Sequence, residues 1–259
     1  MRHFVAWPAF NIQKSNATAR EWARMGWKVA VAIDASIPEL ALHPQNVTCH
    51  IPPLRIKEWK GYYDCMAHLV RQLATLYAAD IVACAAEGVL PDPQARAVVV
   101  GAAFATKFPN GFGCLQPTAD PWRPEQSGDS ANEIAKGRRM HATPSTLERC
   151  ESPILGRPFI MEAYGGKGPW AEKYRQYFGD VELHDVASRM GVMWKNPQLL
   201  HKREHWSRFG GTMQPYQARN FDKWYEKDFA MYRARKYKDF PGSERKSKLL
   251  LPGNGIVMP

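Results

Sequence analysis

Two acids in this chain stand directly after stretches that read as buried strands: Asp34 ends WKVAVAID, and Glu87 lies in CAAEGVLPDP, behind ADIVACAA. In open α/β sheets ligands gather at the carboxyl ends of the strands, so chemistry is to be sought at these two places. Asp180 and Glu182, in GDVELHDVASRMG, fall in the first turn of a predicted helix. The positive end of the helix dipole favours ionised carboxylates there. His201 and His205, in HKREHW, are spaced i,i+4 and share a face if that segment is helical, as metal-binding pairs do. Each group also has a plainer reading: Glu87 as the cap of the turn that follows it, Asp180 and Glu182 as partners of a helix dipole only.

The elements that must position these residues follow from hydrophobic patterning. Residues 3–10 (HFVAWPAF) read as a strand, 16–25 (NATAREWARM) as a helix ending at Gly26, and 27–34 as a second strand. Tyr62, Met66, Leu69, Val70, Leu73 and Leu76 recur at helical spacing within 61–78, and another buried strand follows at once. A further helical segment covers 93–107. Strand, helix and strand in alternation favour a mostly parallel sheet flanked by helices. Residues 109–150, rich in Gly, Pro, Ser and Asp, read as an irregular connection, part of which is expected to form a mobile loop near the site. Residues 220–237 predict an amphipathic helix with Phe221, Trp224, Tyr225, Phe229 and Tyr232 on one stripe and Lys and Arg on the other face.

A chain of 259 residues with 45% hydrophobic and 12% aromatic content can build one large core but is short for two full catalytic domains. One domain over 1–206 with a basic helical extension over 207–259 is expected. No window is long and apolar enough to span a membrane, and the opening MRHFVAWPAF reads as a strand, not as a cleaved leader. The five cysteines are scattered without CxxC spacing, which argues against a disulfide framework or a zinc site and fits a reducing cytoplasm. Between Lys195 and Lys248 there are 14 Lys+Arg against 6 Asp+Glu, so this stretch carries +8 of the net +10. Such an end suits a polyanionic partner, and equally a solvated surface.

The order of these pieces resembles the GT-A fold of nucleotide-sugar glycosyltransferases, in particular the large inverting family. SPILGR, YGGKGP, FGDVELHDVASRMGVMW and LLHKREHW are similar to segments of small bacteriophage glycosyltransferases, some of which decorate hydroxymethylated pyrimidines in DNA. The resemblance implies a UDP-linked or other nucleoside diphosphate sugar as donor, and Mg²⁺ or Mn²⁺ held by carboxylates of a DxD-like turn. It assigns the nucleobase contact to Asp34, the metal to Glu87 with His201, and the base that activates the acceptor hydroxyl to Asp180, with Glu182 as the other candidate. It puts His201 and Arg203 beside the donor diphosphate, and Asp120, Trp170 and His205 on the acceptor side. Tyr164 joins Trp170 as a ring on which a flipped base would stack.

The chain departs from this family where relatives carry successive aspartates before PDP: here Ala85 and Ala86 precede Glu87, and only one acid survives. One carboxylate suffices if the ion keeps its waters and takes phosphate ligands. Otherwise His201, Lys202, Arg203 or His205 neutralise the diphosphate directly. Three functions follow: a glycosyltransferase acting on hydroxymethylated double-stranded DNA, one acting on a lipid-linked or surface glycan at an anionic membrane, and a catalytically inactive nucleic-acid-binding subunit.

Overall fold

HFVAWPA and KVAVAID are buried along nearly their whole length, as parallel strands covered on both faces must be. The computed structural model describes residues 1–93, 96–119, 149–203 and 215–246. In chain order these form β1 (His3–Ala9), α1 (Ile12–Arg24), β2 (Lys28–Asp34), α2 (Pro38–Leu42), β3 (Leu54–Ile56), α3 (Tyr62–Thr75), β4 (Ile81–Cys84) and β5 (Val89–Leu90). There follow α4 (Ala97–Lys107), β6 (Cys114–Ala119), β7 (Ile154–Gly156), α5 (Arg157–Glu162), α6 (Gly179–Arg189), β8 (Met193–Arg203) and α7 (Pro215–Tyr237).

The strands lie in the order β3-β2-β1-β4-β7-β6-β8-β5. β1 pairs in parallel with β2 and β4, β2 with β3, and β6 with β8, while β7 runs antiparallel between β4 and β6. This is the mostly parallel α/β sheet that the patterning predicts. Alternation along β1 feeds both faces: Phe4 and Ala6 enter the core beneath α3, α5 and α6, whereas Val5, Trp7 and Ala9 enter the core beneath α1 and α4.

Two expectations are corrected. α1 begins at Ile12, four residues before the predicted start, because the Asn11 side chain accepts from the Lys14 N–H and caps the first turn. The stretch 109–150 contains a sheet strand, β6, disguised by Gln116 and Pro117; the register shifts between Pro117 and Thr118, a bulge that accommodates the proline. The expected mobile loop falls mostly on residues 120–148, which lie outside the described residues. α7 turns Phe221, Tyr225 and Tyr232 into the same core cluster as Phe4 and Tyr63. Phe178 stacks on Tyr232 with ring centroids 5.7 Å apart. Among the described residues no helix is long and apolar enough to cross a membrane.

Candidate active site

The carboxyl rim of β1, β2 and β4 carries the first group of predicted residues. Asp34 is the last residue of β2 and is 8% exposed; its Oδ1 accepts from the Ser36 N–H at 2.8 Å and from the Ser36 hydroxyl at 2.7 Å, which turns the chain sharply after the strand. Beyond β4, Glu87 reaches back to β1: its Oε1 accepts from the N–H of Phe10 at 2.5 Å and of Asn11 at 2.8 Å. Burial raises the Glu87 pKa, while the bonds from Asn11 and Phe10 and the charge of Lys14 pull it back. β2 and β4 flank β1, so Asp34 and the residues after β4 stand two strand spacings apart, roughly 10 Å.

The second group comes from α6. Asp180 is in its first turn and is bonded to the Tyr63 hydroxyl, which donates to Oδ1 at 3.0 Å and accepts from the Asp180 N–H at 3.1 Å. Burial raises the Asp180 pKa; Arg149 and the Tyr63 bond oppose the shift, and Glu151 adds to it. Tyr62, the preceding residue, donates its hydroxyl to the carbonyl of Ala85 at 2.9 Å, in the turn that carries Glu87. Neighbouring residues of the first turn of α3 therefore hold Asp180 and the 85–87 turn, and both lie at one end of that helix. Sequence reasoning counted Tyr62 as part of an apolar stripe and missed this pair, because nothing in local spacing marks a tyrosine as a bridge.

Glu182 has a different environment from Asp180. It is 1% exposed, and Arg235 of α7 grips both its oxygens, Nε to Oε2 at 2.7 Å and Nη2 to Oε1 at 2.8 Å, with the Tyr174 hydroxyl donating to Oε2 at 2.7 Å. It joins α6 to α7. Tyr164 and Trp170, expected on the acceptor side, are 3% and 2% exposed and belong to the core, so neither ring offers a face for a base to stack on. Tyr164, Gly165, Gly166 and Gly168 all take positive φ, a tight turn that carries both aromatics inward.

His201 lies on β8, so the helical condition for pairing it with His205 is not met. Its ring sits edge-on to Trp22 at 5.2 Å and its Nδ1 lies 3.1 Å from the Ser152 hydroxyl. Burial pushes its pKa down to about 4, against the nearby charge of Asp92. Asp92 accepts the Leu200 N–H, which ties the PDP turn to β8. Arg203 pairs through its backbone with Val89; its side chain, and the whole of Asp120 and His205, lie outside the described residues.

A divalent ion needs several oxygen or imidazole donors from the protein unless a phosphate supplies them. Among the described residues no group of three or more His, Cys, Asp or Glu converges, and the Glu87 Oε1 already serves two backbone donors. These residues do not fit a resident metal held by the protein alone.

No protein-family model matches the chain, and no curated protein matches it in sequence. Solved structures do match. Glucosyl-3-phosphoglycerate synthase from Mycobacterium tuberculosis, in a complex with phosphoglyceric acid and in another with Mn²⁺, UDP-glucose and phosphoglyceric acid, is 10% identical with a TM-score of 0.53; the match covers 90% of this chain and 79% of that one. At such identity the likeness is one of fold. The chain has a GT-A-like α/β fold, a mostly parallel sheet flanked by helices.

Proposed function

We propose that the protein is a nucleotide-sugar-dependent glycosyltransferase that acts on a hydroxyl acceptor, the 5-hydroxymethylpyrimidine of duplex DNA. The observation that supports this most is the Tyr62–Tyr63 pair, which keeps Asp180 and the 85–87 turn at the same end of α3. Asp34 takes the nucleoside of the donor at the end of β2, and the diphosphate lies over the β1 and β4 ends. Asp180 accepts the proton of the attacking hydroxyl as its oxygen bonds to the anomeric carbon and the diphosphate departs, a direct displacement. A raised carboxylate pKa suits that task, since a base poised nearer neutrality holds the proton better. A Mg²⁺ or Mn²⁺ ion at this rim would arrive with the diphosphate, Glu87 being its acidic neighbour.

Incubation with a panel of nucleotide sugars and hydroxymethylated duplex DNA, followed by mass spectrometry of the nucleosides, tests the proposal. A hexose or pentose added to the modified base supports it, and unmodified nucleosides with every donor refute it. The Glu87 bonds to Phe10 and Asn11 favour a second reading, a nucleic-acid-binding subunit that keeps this fold without turnover. DNA binding with no consumption of any nucleotide sugar would establish that reading instead. The membrane-glycan alternative has less support, because Phe221, Tyr225 and Tyr232 of α7 are buried in the core and not free to insert.

A further inference from the structure

Trp224, half-buried on α7, gathers three cations around its indole: Lys223 Nζ at 4.8 Å, Lys227 Nζ at 5.2 Å and the Arg175 guanidinium at 5.9 Å from the ring centroid. Cations crowded on one ring repel each other, and an anion that bridges them would relieve that repulsion. It is a built feature. Asp228, 2% exposed, accepts from the N–H groups of Gln176 and Tyr177 at 2.9 Å each and of Arg175 at 3.3 Å, which fastens the Arg175 loop to α7. The Arg175 Nη1 donates to the Lys60 carbonyl at 2.9 Å, and the Arg175 carbonyl accepts the Tyr62 N–H at 2.7 Å. Gly61 makes that approach possible: with φ at 127°, a Cβ there would fall 2.2 Å from the Arg175 oxygen.

This cation cluster is continuous with the rim. The segment that receives Arg175 also carries Trp59, edge-on to Phe10 at 5.0 Å, and Tyr62, bonded to the Ala85 carbonyl. Asp222 and Glu226 share the exposed side of α7, so the field is local and matches a few phosphates, not a broad anionic surface. A bilayer would need several apolar side chains to bury, and Phe221, Tyr225 and Tyr232 of α7 are already spent on the core.

We propose that Lys223, Lys227 and Arg175 around Trp224 contact the phosphate backbone of the acceptor DNA and lay it across residues 59–62 toward the rim; this rests on the DNA-acceptor reading above. The contact is sequence-independent, so its signature is salt dependence. Binding of a short fluorescent duplex is followed by anisotropy over a salt series, without any nucleotide sugar. The Lys223→Gln/Lys227→Gln double variant is expected to bind at least about tenfold more weakly at low salt, with the slope of log K against log salt smaller by about 2. A Lys28→Gln/Lys107→Gln control, at exposed lysines elsewhere, keeps the wild-type slope.

An unchanged slope in the Lys223/Lys227 variant overturns the proposal, and so does a wild-type protein that binds no duplex, or that binds phosphatidylserine vesicles in preference to it. Sugar transfer is assayed separately on the same preparations. Transfer to DNA with an unaltered slope removes the surface and leaves the enzyme, whereas a reduced slope without transfer leaves the surface and removes the enzyme.

Discussion

Tyr63 and Asp180 exchange two hydrogen bonds, the phenol donating to Oδ1 at 3.0 Å and accepting from the Asp180 backbone N–H at 3.1 Å. The donated bond stabilises the ionised carboxylate and so holds down a pKa that burial raises. Removing the hydroxyl with Tyr63→Phe therefore raises that pKa further, and the acid limb of the pH–rate profile moves to higher pH. Asp180→Asn is expected to lower turnover by about 10²–10⁴ while donor affinity is kept. A Tyr63→Phe profile superimposable on the wild type would show that the pair does not position a base.

Glu182 behaves in the opposite way. Glu182→Ala leaves the partly buried Arg235 guanidinium with the Pro241 carbonyl but without its carboxylate, and is expected to cost on the order of 2–3 kcal/mol in urea denaturation. The apolar double variant Glu182→Leu/Arg235→Met should recover most of that loss. Loss of turnover in a fully folded Glu182→Gln protein would return this residue to the chemistry.

His201 sets an acid limit on stability. Its folded pKa, about 4, lies below the ordinary value of 6.5, so the unfolded chain takes up the proton first as pH falls. The stabilisation is complete above pH 6.5 and is lost between there and about pH 4, on the order of 3 kcal/mol in all. His201→Gln, which can still bond Ser152, should flatten the stability curve across that window. Denaturation midpoints measured through it give the answer.

Glu87→Gln separates tethering from charge. An amide oxygen still accepts from Phe10 and Asn11, so stability should change by less than about 1 kcal/mol. The carboxylate charge is lost, and Mn²⁺-supported binding of UDP-glucose should weaken by at least about tenfold if the ion comes with the diphosphate to this rim. Calorimetric titration with and without EDTA reads both effects.

The parts of the fold that were legible in sequence are those whose signal is local. β1, β2 and β4 are mostly apolar runs, and of the five aromatics expected on one stripe of α7, Phe221, Tyr225, Phe229 and Tyr232 pack on the core while Trp224 stays half-buried. β6 was hidden because Gln116 and Pro117 look like loop residues until neighbouring strands on both sides supply the burial. Asp34, Glu87 and Asp180 stand where the patterning puts them, after strands and at a helix start. What they touch was not legible. The Tyr63–Asp180 pair spans 117 residues and the Arg235–Glu182 pair 53, and no periodicity encodes such meetings. The acceptor-side assignment of Trp170 and Tyr164 comes from the resemblance alone, which carries no information on burial, and only the folded turn shows both rings inside.

The seating of α7 in the core also bears on how the polypeptide is made. Phe4 of β1 and Tyr232 of α7 belong to one cluster, so a nascent chain leaving the ribosome must keep part of its first strands uncovered until α7 has been made. Stop codons placed before residue 221 should then yield insoluble or proteolysed product, however intact the strand-end rim is in the encoded sequence.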